Sequence, residues 1–129
     1  MNSNERAKFI AFVNENQMLP VEFVTEERLA EIWNKTIPKD KYLGGIYCPD
    51  EKVAYIVNPD VSNTLEDLLE YFYHEEMHFI FDILPSKFLL NIFRFLFEEK
   101  VCGQYGVLKS RYQILKFKEG ESEYRKSRN

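Results

Sequence analysis

The most apolar part of the chain, residues 79–97, limits the fold more than any other segment. Polar residues and a proline interrupt it, at Asp82, Pro85, Ser86, Lys87, Asn91 and Arg94. Because proline cannot continue a helix and charged side chains are costly inside a bilayer, this segment cannot cross a membrane as one apolar helix. It predicts two helices that pack together, with a break at Pro85 and Ser86.

Composition favours a single folded domain. The 129 residues are 45% hydrophobic and 16% aromatic, which is enough apolar surface for one core. The net charge of -4 gives no basic excess, so nucleic acid is not an expected partner. The first residues lack the pattern of a signal peptide, which predicts a cytoplasmic protein that does not bind a membrane. Cys48 and Cys102 form no CxxC pair, so a disulfide framework is not expected.

Hydrophobic periodicity and turn residues predict an α+β fold. The predicted helices cover 4–17, 26–33, 65–84 and 87–104, and the predicted strands cover 21–24, 44–48 and 52–57, the last two forming a hairpin. Thr25 is an expected helix cap, and Ile37–Lys41 is an expected loop. The helix at 65–84 has cap candidates in Ser62, Asn63 and Thr64, of which Thr64 with Asp67 fits a capping box. The segment Arg111–Phe117 fits a strand or a short helix. The domain is predicted to span 1–117, followed by a charged, flexible tail at 118–129.

The segment His74-Glu75-Glu76-Met77-His78 has the pattern HExxH and contains both histidines of the chain. Residues four apart lie on one face of a helix, so both imidazoles can bind one zinc ion. Glu75 would then act as general base on a zinc-bound water. This pattern predicts a zinc metallopeptidase, an enzyme that hydrolyses peptide bonds. The alternative is a chance pair of histidines with Glu75 on a solvated face.

A catalytic zinc usually has three protein ligands, so a third must be found. Phe81 and Leu84 stand where the longer motif HExxHxxGxxH has glycine and histidine, which leaves two adjacent glutamates on the next predicted helix. Glu98 continues a polar row and is predicted to be a solvated charge or a partner of Arg94. Glu99 follows the apolar row, where a carboxylate is costly unless it binds a metal. Glu99 is therefore favoured, and Glu98 stays open.

These motifs resemble those of the HExxH-plus-glutamate zincins, and among them the ImmA/IrrE-like peptidases. The matching segments are Gly44-Gly45-Ile46-Tyr47, Tyr55-Ile56-Val57-Asn58, His74 to His78 and Glu99 to Gly106. The resemblance implies a zincin-like fold, in which a small twisted sheet with a hairpin packs against the HExxH helix and a following glutamate helix. It also implies Zn²⁺ as the cofactor, Glu99 as the third ligand, and a protein or peptide as the substrate.

The same resemblance implies roles for residues around the motif. The first hairpin strand, Gly45–Tyr47, would be the sheet edge that pairs with an extended substrate, with an ordinary edge strand as the alternative. Asp82 is a candidate for orienting an imidazole, against the alternative of a surface acid. Independently of the resemblance, Tyr71, Tyr105 and Tyr112 could each donate to an oxyanion, although packing is the expected role for any one of eight tyrosines.

A second function stays open beside catalysis. The chain could be a non-catalytic, zincin-like binding or inhibitory protein that acts through its apolar helix, Phe88–Phe97, and this helix could also form a homodimer. Glu76 and Met77 favour this reading because the family usually has an apolar and a small residue at these positions. Glu75 favours catalysis, because a structural zinc needs ligands but no general base.

Overall fold

The computed structural model describes residues 1–34, 44–59, 63–83 and 88–128, and within these the side chains of 34, 88–97 and 121–128 are not described. Its elements are α1 (Ser3–Asn16), β1 (Val21–Val24), α2 (Glu26–Asn34), β2 (Gly45–Cys48), β3 (Val53–Val57), α3 (Leu65–Ile83) and α4 (Phe88–Arg128). The predicted α+β class is confirmed, and every predicted strand is present. The predicted loop Ile37–Lys41 lies outside the described residues.

The three strands form a mixed sheet in the order β1-β3-β2. Strand β3 is central, with β1 parallel and β2 antiparallel to it. Its residues 54–57 point alternately to the two faces of the sheet, and all four are at most 8% exposed, so both faces are covered. Strand β2 is an edge of the sheet, which confirms the position predicted for Gly45–Tyr47.

The core joins α1, the sheet and α3 in one cluster. Phe9 and Val13 of α1 are fully buried, as are Leu68 and Leu69 of α3. Each such side chain contributes about 1.5–3 kcal/mol by leaving water. This packing fixes the orientation of α3, the helix that carries the two histidines.

Side-chain caps set where three of the helices begin. The side-chain oxygen of Asn2 accepts from the Glu5 amide at 2.8 Å, in a capping box at the start of α1. The hydroxyl of Thr25 accepts from the Arg28 amide at 3.1 Å, and that of Thr64 accepts from the Asp67 amide at 3.1 Å. Both threonine caps are confirmed, and each satisfies an amide that has no partner within its helix.

Helices α3 and α4 pack as an antiparallel pair; the broken apolar segment predicts two packed helices and leaves their relative direction open. Along the pair, Glu98 lies beside His78, and Arg111 lies beside Glu66 at the opposite end. Between them, the hydroxyl of Tyr105 donates to Glu76 at 3.1 Å. Since the residue numbers rise on one helix as they fall on the other, a residue near the start of α4 faces the end of α3.

The length of α4 is the main error of the sequence prediction. The helix was predicted at 87–104, with a strand or short helix at Arg111–Phe117, but one helix of 41 residues runs from Phe88 to Arg128. Its continuation is stabilised by tertiary contacts, because the Phe117 ring packs edge-on against Phe12 at 5.6 Å between centroids. The predicted tail, 118–129, is helical up to Arg128, and its flexibility stays a prediction.

Among the residues described, no helix combines the length and the apolar character that a membrane span requires. The apolar helix proposed as a partner or dimer surface, Phe88–Phe97, is present as the first part of α4. Its side chains lie outside the description, so the homodimer prediction is untested.

Two glycines of α4 give a matched test of how closely the helices approach. A Cβ atom at Gly106 would lie 2.8 Å from the backbone oxygen of Glu70, whereas one at Gly103 would meet nothing within 4 Å. Both alanine variants gain helix propensity, about 1 kcal/mol, so their difference isolates the steric cost. We expect Gly106→Ala to be less stable than Gly103→Ala by about 1–3 kcal/mol in urea denaturation. Equal stabilities would mean that α3 and α4 are further apart than described.

Candidate metal centre

The two histidines of the HExxH motif lie one turn apart on α3, on the same face. Their Nε2 atoms are 3.2 Å apart, and both side chains are partly exposed. Two ring nitrogens this close must share a proton or another partner, because two bare lone pairs would repel each other. The helix therefore presents two nitrogen donors to one point in space.

Glu99 of α4 meets both histidines. Its Oε1 lies 3.0 Å from His74 Nε2, and its Oε2 lies 3.0 Å from His78 Nε2. Hydrogen bonds from both imidazoles hold the pKa of Glu99 well below its ordinary range, so the carboxylate is ionised, as a metal ligand must be. The antiparallel packing of α3 and α4 thus places a carboxylate opposite the imidazole pair.

The three side chains could hold one metal ion, because a donor atom of each lies within 4.8 Å of the others. Atoms bound at about 2.0–2.1 Å to a tetrahedral zinc lie roughly 3.3 Å apart, which is close to the separations of the two nitrogens and the carboxylate oxygens. Two imidazoles and one carboxylate are also a ligand set that zinc takes in catalytic sites. The residues present therefore fit a zinc ion in both geometry and donor chemistry.

Glu99 was favoured for a reason that the structure contradicts. Hydrophobic periodicity predicts that Glu99 lies on a buried, apolar side of its helix, but its side chain is 78% exposed. The neighbouring Cys102 is fully buried, as expected for that side. Glu99 therefore contacts the two imidazoles from the solvent-exposed side of α4. The predicted residue is beside the histidines, and the predicted burial is wrong.

Glu98 is not the solvated charge that the sequence predicted. Its Oε2 lies 2.7 Å from His78 Nδ1, and its side chain is only 25% exposed. A histidine that binds a metal through Nε2 commonly donates its Nδ1 proton to a carboxylate, which fixes the ring and its tautomer. This was the role considered for Asp82. The pair Glu98-Glu99 was the signal in the sequence, because two adjacent glutamates can contact the two ring nitrogens of one histidine.

His78 has a fourth polar neighbour besides His74, Glu98 and Glu99, the thiol of Cys102. Burial disfavours the charged ring, but hydrogen bonds with Cys102 and Glu99 outweigh it and raise the pKa of His78 to about 11. Burial raises the pKa of Cys102, so its sulfur stays a thiol. The ring of His78 is therefore held on several sides before any ion binds.

Glu75 is buried between α3 and the edge strand, with only 6% of its surface exposed. Burial raises its pKa to about 7, although the charges of His78 and His74 partly oppose this shift. The backbone N–H of Tyr47 donates to its carboxylate. A Cβ atom at Gly45 would lie 3.2 Å from Glu75 Cγ, so the glycine allows strand β2 to approach this side chain closely.

Two other acidic residues, Glu76 within the motif and Asp82 one turn after it, form hydrogen bonds with residues other than the two histidines. Asp82 accepts a hydrogen bond from the Tyr47 hydroxyl at 2.6 Å and pairs with Lys52 at 2.9 Å, so these contacts join α3 to the hairpin. Its predicted role of orienting an imidazole stays a prediction. Glu76 is buried and accepts from the Tyr105 hydroxyl, which gives that tyrosine a partner other than an oxyanion.

Comparison with protein-family models, with curated proteins and with solved structures finds no match to this chain.

Proposed function

We propose that this chain is a zinc-dependent metallopeptidase, in which His74, His78 and Glu99 hold the ion and Glu75 is the general base. The observation that carries the proposal is the convergence of two Nε2 atoms and one carboxylate, separated by 3.0–3.2 Å, beside a buried glutamate. Glu98 supports the proposal, because its contact at His78 Nδ1 leaves Nε2 free to face the ion.

The chemistry divides between the ion and the protein. Zinc, when bound, supplies Lewis acidity that polarises a carbonyl and makes water more acidic. Glu75 stands on the same helix as the two histidines and receives the proton that the attacking water loses. The Tyr47 N–H orients its carboxylate, and burial keeps other water away from it. The protonated Glu75 can then pass the proton to the leaving amine.

The zincin-like character of the fold is also part of the proposal. An α+β chain with a mixed sheet, an edge strand beside the HExxH helix and a glutamate on the next helix has the parts that this class requires. The class is supported by this arrangement and by the motif rather than by any relative.

The edge strand suggests the form of the substrate. The Val57 amide donates to the Gly44 carbonyl at 3.0 Å, so the alternating pattern of an antiparallel pair directs the backbone groups of Gly45 and Tyr47 away from β3. The Tyr47 N–H already donates to Glu75, so an extended peptide would add a strand to the sheet through hydrogen bonds to the outward backbone groups of Gly45. We therefore propose an extended protein or peptide segment as the substrate.

Removal of the metal tests the proposal. The zinc-loaded chain, incubated with a mixed peptide library, is expected to give cleavage products that mass spectrometry identifies. Treatment with a chelator should abolish cleavage, and added zinc should restore it, because the ligands alone leave water unactivated. Cleavage that continues at full rate in the metal-free chain would contradict the assignment.

One observation favours the alternative, a non-catalytic binding protein. Leu108, Tyr112 and Leu115 lie at helical spacing on α4, and each is half-exposed or more. Exposed apolar rows of this kind often mark contact surfaces. This function, which does not depend on whether zinc is bound, predicts a chain that cleaves no member of the library with or without the ion. The same experiment therefore separates the two functions.

A further inference from the structure

Tyr47 of the edge strand contacts helix α3 at two separate points. Its backbone N–H donates to the carboxylate of Glu75, and its phenol hydroxyl donates to Asp82 Oδ2 at 2.6 Å. Glu75 and Asp82 are seven residues apart, so they lie two turns apart on one face of α3, about 10.5 Å along the axis. A single strand residue thus spans two turns of the helix that carries the histidines.

The contact between these two points is filled by an aromatic pair. The ring of Tyr47 packs edge-on against Phe79, with 6.0 Å between centroids, and Tyr47 is buried. A phenol hydroxyl in such a setting needs a partner, because an unsatisfied buried donor costs about 1–3 kcal/mol. Asp82 supplies that partner and fixes the position of the tyrosine ring along α3.

The other side of the hairpin also reaches Asp82. Lys52 is the last residue of the hairpin turn, with a φ of 54°, and its Nζ lies 2.9 Å from the same Oδ2 that accepts from Tyr47. This ion pair is largely exposed and adds little stability of its own. Of the two groups that contact Asp82, the Tyr47 hydroxyl is therefore the buried one. A variant of Lys52 can serve as a control, because it changes only the exposed one.

The position of β2 matters because the strand lies directly against Glu75. A Cβ atom at Gly45 would already crowd Glu75 Cγ at 3.2 Å, and the Tyr47 amide is bonded to the carboxylate of the same residue. A small shift of the strand would lengthen that hydrogen bond. The strand position therefore controls the orientation of the carboxylate.

We propose that Asp82 and the Tyr47 hydroxyl are positioning residues, which hold strand β2 where the Tyr47 amide orients Glu75. The effect on catalysis rests on the proposed function, whereas the effect on the strand does not. Neither group needs to touch substrate or metal. Their hydrogen bond acts at a distance of two helical turns, through the backbone of the edge strand.

Tyr47→Phe tests the proposal because it removes one hydroxyl and keeps the ring on Phe79. Hydrogen exchange of the amide at position 47, followed by NMR, is expected to accelerate about tenfold, the size expected for a lost hydrogen bond to a charged group. The Val57 amide, which donates to Gly44 within the sheet, is the internal reference and should keep its rate. On a cleaved peptide, kcat should fall about tenfold while KM and zinc affinity change little.

Two further variants complete the test. Asp82→Asn weakens the same hydrogen bond from the other side, so the amide at position 47 should again exchange faster. Lys52→Met removes only the exposed ion pair and should leave that amide unchanged. Unchanged exchange at position 47 in both Tyr47→Phe and Asp82→Asn, or equal acceleration at Val57, would overturn the positioning role. The amide at position 47 could exchange faster, with Val57 unchanged, in a protein that cleaves no peptide. That result would support the positioning role and would contradict only the proposed peptidase function.

Discussion

Replacing Glu75 with glutamine is expected to lower kcat/KM at least about 100-fold, the lower range for removal of a general base. Glutamine has nearly the same shape and can still accept from the Tyr47 amide, but it cannot take a proton. The zinc content should equal that of the wild type, because Glu75 is not among the three converging donors. Mass spectrometry of the metal and initial cleavage rates measure the two properties on one sample.

Glu70→Gln is the matched control for this variant. Glu70 lies on the same helix and is partly buried, so the change removes the same charge from the same element. Its cleavage rate should stay within about twofold of the wild type, as for a charge outside the site. Full activity in Glu75→Gln, or an equal loss in both variants, would refute Glu75 as the base.

Replacing Glu99 with alanine should weaken zinc binding more than replacing Glu98 with alanine. Glu99 faces both Nε2 atoms, whereas Glu98 contacts only the Nδ1 of His78. Loss of an outer partner of this kind typically costs about 10–100-fold in metal affinity, which is the effect expected for Glu98→Ala. Loss of one of three ligands should exceed that range, so Glu99→Ala should not compete with a chelating indicator for zinc.

If Glu98→Ala bound zinc more weakly than Glu99→Ala, the roles of the two glutamates would be exchanged. If Glu98→Ala lost zinc while Glu99→Ala kept it, Glu98 would be the ligand and Glu99 an exposed partner of the imidazoles. Both variants change one glutamate on the same turn of α4, so differences in helix stability cancel. Circular dichroism of both proteins verifies that the comparison concerns the site alone.

The elements around the motif could be predicted because local signals agree there. Thr64 caps α3, apolar residues recur at helical spacing through Leu68 and Phe72, and turn residues at 49–51 separate the two β-rich runs of the hairpin. The end of α4 could not be predicted in this way. The helix is predicted to end at Gln104, but α4 continues through Gly103 and Gly106 because Ile114 and Phe117 pack on the core. Tertiary packing there outweighs the low helix propensity of glycine.

The candidate site shows a similar limit. HExxH spacing alone was sufficient to place His74 and His78 together, since helical geometry decides it. The choice between Glu98 and Glu99 depended on how α4 rotates against α3, which periodicity did not describe correctly. Burial of Glu75 was also not expected, because it belongs to a polar stripe at helical spacing, formed by Tyr71, His74, Glu75, His78 and Asp82. It follows from the close approach of β2 at Gly45, a contact between residues distant in the chain.

A crystal structure of the zinc-loaded chain tests the central claim most directly. We predict one ion bound by His74 Nε2, His78 Nε2 and a carboxylate oxygen of Glu99, each at about 2.0–2.2 Å. Glu75 should lie beside the ion without binding it, and Glu98 should remain at His78 Nδ1. An ion bound elsewhere, or imidazoles that turn away from each other when zinc is present, would contradict the account.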